Sequence, residues 1–121
     1  MKKQIVCQIG EEIAASFLEK KGFLILERNW HLRRWGELDI IAQDGDVLVF
    51  VEVKTRLGTK FGNPEEAVNF YKKKALWHSA QYYKTTHGDL PDALRIDVVS
   101  ILLDPETQSP LKIQHFPNID I

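Results

Sequence analysis

The fold is decided by one stretch, residues 37–54, which reads ELDIIAQDGDVLVFVEVK. The pair Asp44-Gly45 is a strong turn signal between two runs of mainly apolar residues. We therefore predict a β-hairpin whose first strand covers residues 38–42 and whose second strand covers residues 47–54. Side chains alternate between the two faces of a strand, so the register of this hairpin determines which side chains meet.

The register predicts two unlike faces for the hairpin. With the turn centred on Asp44-Gly45, Glu37 is expected opposite Glu52. Asp39 is then expected opposite Phe50. The face that carries these residues also carries Ile41, Leu48 and Lys54. The other face is wholly apolar and is expected to pack into a core; it consists of Leu38, Ile40, Ala42, Val47, Val49, Val51 and Val53.

Three acids and a lysine of the first face gather at the open end of the hairpin, namely Glu37, Asp39, Glu52 and Lys54. Carboxylates that face one another across two strands repel. A hard divalent cation would relieve that repulsion, because Mg²⁺ and Mn²⁺ prefer oxygen ligands. The pattern therefore indicates a metal site. The alternative is a solvated strand end, paired with Arg33, Arg34 or Lys54, which an odd-numbered turn would favour by moving Asp39 to the other face.

The rest of the chain predicts an α-β-β-β-α-β order with one more strand at the end. An amphipathic helix over residues 8–21 and a short strand over residues 23–28 precede the hairpin. A second helix is expected from Pro64 to about Thr86. A β-rich run over residues 94–103 and an edge strand over residues 111–116 follow. This order predicts an α/β fold in which helices flank a mixed β-sheet.

Each predicted helix places one charged residue on or beside its apolar face. Glu11 lies at the edge of the apolar arc and can extend towards the sheet, whereas Glu12 points the opposite way. Glu11 is thus a further candidate acid for the metal site; the alternative is a first-turn carboxylate favoured by the helix dipole. Lys72 interrupts the apolar stripe of the second helix, so it either extends to the edge or contacts a specific anion. With Arg56 and Lys60 in the preceding loop, Lys72 is a candidate phosphate contact at a cleft rim.

Length and composition fit one globular domain over residues 1–121. The formal net charge of −1 gives no overall attraction to nucleic acid, so any phosphate binding must come from a local patch. Cys7 is the only cysteine, which excludes an internal disulfide and a cysteine-based zinc site and favours a reducing compartment. No apolar run resembles a signal peptide or a membrane span, so we expect a cytoplasmic protein without a membrane partner.

Two other groups favour structural roles. Arg95 and Asp97 lie on the same side of one strand, where we expect a mutual ion pair. Trp30 and Trp35 flank the pair Arg33-Arg34 and could stack on unpaired bases, although a packing role is favoured. The four histidines share no metal-ligand spacing, which argues against a histidine-based metal site.

Several stretches between residues 9 and 101 carry a family resemblance: GE at 10–11, LEKKGF at 18–23, GELD at 36–39, VFVEVKTR at 49–56, FGNPEEAV at 61–68 and RIDVV at 95–99. Asp39 with the run 52–54 resembles the PD-(D/E)xK nuclease motif, with Leu38 in place of its proline. Together the stretches resemble the small bacterial YraN-like family. That resemblance implies a restriction-endonuclease-like fold, similar to archaeal Holliday junction resolvases, whose catalytic acids and lysine match Glu11, Asp39, Glu52 and Lys54 in order.

These observations predict a metal-dependent nuclease that hydrolyses phosphodiester bonds of branched or single-stranded DNA. Asp39, Glu52 and Glu11 are expected to hold Mg²⁺ or Mn²⁺, Lys54 to orient the attacking water, and Glu37 to support the metal ligands. The residues expected to hold the DNA backbone are Arg33, Arg34, Arg56, Lys60 and Lys72. Two alternatives are a nucleic-acid-binding module with little catalysis and a protein-interaction adaptor. Cleavage of a symmetrical junction would also require a homodimer.

Overall fold

The structure, a computed structural model, describes residues 2–32, 36–60, 64 and 70–119. Its elements are α1 (Lys3–Lys20), β1 (Leu24–Leu32), β2 (Gly36–Asp44), β3 (Val47–Leu57), α2 (Phe70–Thr86), β4 (Ala93–Leu103) and β5 (Pro110–Phe116). The predicted element order is confirmed, including the additional strand. Helix α1 begins five residues earlier than predicted, because its buried face extends back to Val6. Neither described helix is long and apolar enough to cross a membrane.

The five strands form one sheet in the order β1-β2-β3-β4-β5. Strands β3 and β4 are parallel, and every other neighbouring pair is antiparallel. The parallel pair is the one joined through α2, as a parallel connection requires a crossover. The sheet is therefore mixed, and the predicted α/β class with flanking helices is confirmed at that level.

Each helix covers one face of the sheet. The core between α1 and the sheet contains Val6, Ala14, Leu18, Ile40, Val49, Val51, Val53 and Val99, among others. The core between α2 and the sheet contains Leu38, Ile41, Leu48, Phe50, Leu76, Ala80, Tyr83 and Ile96. Side chains of β3 alternate between the two cores, as strand geometry requires. Neighbouring side chains of β3 therefore face different helices, one facing α1 and the next facing α2.

The register of the hairpin corrects the prediction by two residues. Asp44 pairs with Val47, so the two-residue turn is Gly45-Asp46, with Gly45 in the left-handed region at φ 60°. Ile41 consequently pairs with Phe50 rather than with Leu48. A shift of two preserves the alternation of faces, so the division into an apolar and a partly acidic face survives. The predicted opposition of Glu37 and Glu52, and that of Asp39 and Phe50, is wrong.

The placement of Leu38 is a second correction. The sequence predicted it on the same face as Ile40 and Val49, which in the structure packs against α1. It is buried instead in the α2 core beside Ile41 and Phe50. The ladder between β2 and β3 runs from Ile40↔Val51 to Asp44↔Val47. Leu38 lies beyond the end of that ladder, where the strand is no longer held in regular alternation with β3.

The predicted ion pair between Arg95 and Asp97 is confirmed, with Nε donating to Oδ1 at 3.0 Å. Asp97 is fully buried, and its carboxylate also accepts the backbone N–H of Asn118 at 2.8 Å and lies 2.7 Å from His115 Nε2. This buried network ties the C-terminal segment to the sheet. The predicted packing role of Trp30 is likewise confirmed, since its ring meets that of Tyr83 edge-on at 5.1 Å; Trp35 lies outside the described residues.

Helix α1 lies very close to β3 at Gly10. A Cβ atom added at Gly10 would lie 1.8 Å from Thr55 Oγ1 and 2.8 Å from Thr55 Cβ. Neither contact is sterically possible, so the helix can come this close to the strand only with glycine at this position. The next residue along the helix is Glu11, which is thereby carried towards the sheet.

Gly10→Ala is expected to destabilise the fold by about 2 kcal/mol, because overpacking at such short distances costs about 3 kcal/mol, the upper end of its usual range. The gain in helix propensity, about 1 kcal/mol, is too small to offset the clash. Urea unfolding measures the effect, with Ser16→Ala on the exposed side of α1 as the control. In Thr55→Gly, which removes the clashing side chain, the same alanine should cost less. An alanine variant as stable as the wild-type chain would contradict this close contact.

Candidate active site

The site begins where β2 and β3 separate. Beyond the last ladder pair, Ile40↔Val51, the Asp39 carboxylate takes the place of a backbone acceptor. Its Oδ2 accepts the N–H of Val53 at 2.9 Å. The charge of Glu52 acts on Asp39, so these two acids lie close together. The two acids predicted to hold a metal therefore meet at the open end of the hairpin.

Glu52 is a buried carboxylate shared by two lysines. Its side chain is 3% exposed, and its Oε1 lies 3.4 Å from Lys54 Nζ and 3.5 Å from Lys72 Nζ. Its other oxygen, Oε2, is buried without a hydrogen-bond partner among the residues that the structure describes. The sequence predicted that Lys72 either extends to the edge of its helix or contacts a specific anion. The structure shows a contact with an anion, the carboxylate of Glu52. Burying a charged oxygen without a partner is costly.

The negative charge of Glu52 is one of the main influences on the pKa of Asp39. Burial, followed by the charge of Glu52, raises the pKa of Asp39 from its ordinary value of 3.8 to about 8. The N–H of Val53 and the ammonium of Lys72 act in the opposite direction but do not cancel the rise. Two carboxyl groups that share a buried site resist being ionised together. The repulsion that the sequence predicted between the opposed Glu37 and Glu52 therefore acts between Asp39 and Glu52 instead, and it favours the protonated form of Asp39.

Glu11 extends from α1 towards the same acids. Burial and the nearby Glu37 raise the pKa of Glu11, and Arg28 and Asn29 partly oppose that rise. The charge of Glu52 also raises the pKa of Glu11, so this acid of α1 interacts electrostatically with the acids of the hairpin. Glu12 is exposed and pairs with Arg28 at 3.0 Å. The predicted exposure of Glu12 is confirmed, but the two acids do not diverge as predicted, because both interact with Arg28 and line one pocket.

Asn29 is a residue of the site that sequence reasoning missed. With its amide oriented to satisfy both neighbours, its nitrogen donates to Glu37 Oε1 at 2.6 Å and to Glu11 Oε1 at 2.8 Å. Its backbone is left-handed, with φ 54°. Asparagine adopts that conformation more readily than most residues, which is the signal that could have drawn attention to it. Asn29 links the acid of α1 to Glu37, which also lies 3.8 Å from His31.

The basic residues predicted to contact the DNA backbone lie in different parts of the structure. Arg56 belongs to β3, not to a loop, because that strand continues to Leu57. It lies four residues after Glu52 and hence on the same face as Lys54. Lys60 is exposed beyond the strand, and Lys72 contacts Glu52 directly rather than standing at an outer rim. The predicted contacts Arg33 and Arg34 lie outside the described residues.

A cleft of about 550 Å³ opens beside Glu11 on the α1 side of the cluster. Its walls include Gln4, Cys7, Asn29 and Glu37. Burial and the charge of Glu11 raise the pKa of the Cys7 thiol, so the thiol stays protonated at neutral pH. A protonated thiol is a poor nucleophile and a poor metal ligand. The cleft therefore presents carboxyl and amide groups, together with the side chain of Lys3, rather than a reactive thiol.

No group of three or more His, Cys, Asp or Glu side chains in the described part of the chain has the geometry of a metal cage. Two contacts account for this: Glu52 is turned towards lysines, and Glu11 is held by Asn29. A site for Mg²⁺ does not need such a cage, because this ion is usually bound by one or two carboxylates together with water and substrate phosphates. Asp39 and the unpartnered oxygen of Glu52 fit that pattern.

Comparison with known proteins identifies a family. The model of the uncharacterised protein family UPF0102 matches residues 10–101. The UPF0102 protein of Syntrophomonas wolfei is 49% identical over 110 residues, which cover 90% of this chain and 91% of that protein. The UPF0102 protein of Pelotomaculum thermopropionicum is 42% identical over 116 residues, which cover 96% and 95%. The chain therefore belongs to the uncharacterised protein family UPF0102.

Proposed function

We propose that this protein is a metal-dependent nuclease that hydrolyses phosphodiester bonds in DNA. The observation that carries the proposal is the proximity of two acids, half-buried Asp39 and buried Glu52, beside Lys54 at the open end of a hairpin. A phosphate-binding module gains nothing from buried acids, since they repel phosphate. The fold we propose is restriction-endonuclease-like, related to that of archaeal Holliday junction resolvases.

Asp39 and Glu52 would hold Mg²⁺ or Mn²⁺, with Glu11 as an additional ligand or a ligand through water. The bound ion would supply an activated water and polarise the phosphate. The charges favour a cation: the carboxyl groups of this site, those of Glu11, Glu37, Asp39 and Glu52, outnumber the cationic side chains that act on them, those of Arg28, Lys54 and Lys72. The lysines leave Asp39 with a raised pKa and Glu52 with a buried, unpartnered oxygen.

The other residues of the site have roles that follow from their contacts. Lys54 lies on the same face as Glu52 and would orient the attacking water and offset charge that develops on the phosphate. Asn29 fixes Glu37 and Glu11 relative to one another, which holds the helix acid in place. Arg56, Lys60 and Lys72, together with Arg33 and Arg34, would contact the DNA backbone without reading its sequence. Such an activity belongs in the cytoplasm, and a symmetrical junction would be cut by a homodimer.

A cleavage assay with labelled duplex, flap, single-stranded and four-way DNA tests this proposal. We expect cleavage of at least one substrate in Mn²⁺ or Mg²⁺ and none after EDTA is added in excess. DNA binding that survives EDTA without cleavage of any substrate would favour a binding module instead. Isothermal titration with Mn²⁺ separates the third candidate, because a protein-interaction adaptor has no reason to bind the ion.

A further inference from the structure

Lys72 is a charged residue on the side of α2 that faces the sheet. It lies one turn before Leu76, a buried residue of α2, so its side chain is directed at the sheet. Its ammonium reaches Glu52 Oε1 at 3.5 Å although the side chain as a whole is 38% exposed. A flexible stem with an exposed portion can change position without disturbing the helix. The ammonium can therefore move from Glu52 to another nearby anion without a change in the backbone of α2.

The two lysines on Glu52 are not equivalent. Lys54 comes from the same strand as Glu52, two residues away, and is held near it by the strand itself. Lys72 comes from a different element, helix α2, and its charge also acts on Asp39. Both ammonium groups contact Oε1, while Oε2 has no partner in the described part of the chain. Lys72 thus compensates the two acids that the proposed function assigns to a metal ion.

We propose that Lys72 is the resting counter-ion of the acidic site, that a divalent cation displaces it, and that the displaced ammonium contacts the substrate phosphate. This inference rests on the proposed function. Two positive charges beside the same buried carboxylate repel, so the arrival of a doubly charged ion favours departure of the mobile partner. A phosphate bound at the ion then provides a new anion for the released ammonium, which already lies 3.5 Å from Glu52, a proposed ligand of that ion.

The proposal predicts two effects of opposite sign. Removing the Lys72 charge eliminates a competitor for the acids, so the Mn²⁺ dissociation constant should fall by about tenfold, a modest share of the charge interaction at this distance. The same change removes a phosphate contact, so cleavage at saturating Mn²⁺ should slow by about tenfold or more. A purely structural lysine would not strengthen metal binding when it is lost.

The experiment compares Lys72→Met with Lys74→Met, which removes the same charge from an exposed position of the same helix. Mn²⁺ binding is titrated by electron paramagnetic resonance, without DNA, and circular dichroism checks folding. We expect tighter binding in Lys72→Met, unchanged binding in Lys74→Met, and binding close to that of the wild-type chain in Lys72→Arg, which keeps the charge. Cleavage is then measured at saturating Mn²⁺.

The outcomes separate this inference from the proposed function. If the wild-type chain binds Mn²⁺ and Lys72→Met binds it equally or more weakly, the counter-ion role is overturned and the metal site stands. If Lys72→Met binds Mn²⁺ more tightly but cleaves at the wild-type rate, the phosphate contact is overturned. If the wild-type chain binds no Mn²⁺, the proposed function fails and this inference fails with it.

Discussion

Glu52→Gln is expected to reduce Mn²⁺-dependent cleavage by at least about 10²–10³-fold, the range seen when one charge-stabilising group is removed from an active site. Glutamine has nearly the same shape, so the buried side chain can stay in place, but it has no charge with which to hold a cation. The two lysines at 3.4 and 3.5 Å also lose their anion. Lys54→Met should cause a loss of similar size, because it leaves the carboxylate intact and removes the group that orients water.

The matched control for Glu52→Gln is Glu12→Gln, since Glu12 is an exposed acid whose ion pair within the described part of the chain is with Arg28. Cleavage by that variant should stay within about twofold of the wild-type rate, because exposed ion pairs contribute little. Initial rates at saturating Mn²⁺ measure both variants on the same substrate. Full activity of Glu52→Gln would remove Glu52 from the catalytic role.

The register of the hairpin illustrates how far sequence can determine a fold. The run Asp44-Gly45-Asp46 contains two overlapping two-residue turn signals, Asp-Gly and Gly-Asp. Both give an odd sum for paired residue numbers, and hence the same faces, so the faces could be predicted without the correct turn. The choice between them depends on tertiary packing, where Ile41 pairs with Phe50 over the α2 core. Local sequence does not contain that information.

Some residues of the candidate site could likewise be predicted from local sequence, whereas others depend on tertiary packing. Asp39, Glu52 and Lys54 follow from strand alternation, and Glu11 follows from helical periodicity, because each depends on a local repeat. Asn29 and the placement of Lys72 depend on how β1 and α2 approach the hairpin from different directions. Leu38 departed from its predicted face at the point where the β2–β3 ladder ends. Periodicity fails where strands separate, and it is there that the site lies.

Asp39→Asn is expected to stabilise the metal-free protein at pH 8 by about 1–3 kcal/mol, since one pKa unit corresponds to about 1.4 kcal/mol. The folded chain holds the Asp39 proton up to about pH 8, whereas the ordinary value is 3.8. Between these values the unfolded chain binds fewer protons, so the stability of the wild-type protein falls as pH rises. Asparagine does not titrate, and its carbonyl can still accept the N–H of Val53.

Urea unfolding in EDTA at pH 5, 7 and 8.5 measures this difference, which should be small at pH 5 and grow towards pH 8.5. Asp46→Asn, at an exposed position of the turn, is the control and should show no such trend. In saturating Mn²⁺ the order should reverse, because an ion that binds only the folded wild-type chain stabilises it in proportion to the logarithm of ion concentration. A variant that is less stable than the wild-type chain in EDTA at pH 8.5 would mean that Asp39 is ionised and well compensated in the resting site, and that no cation is needed there.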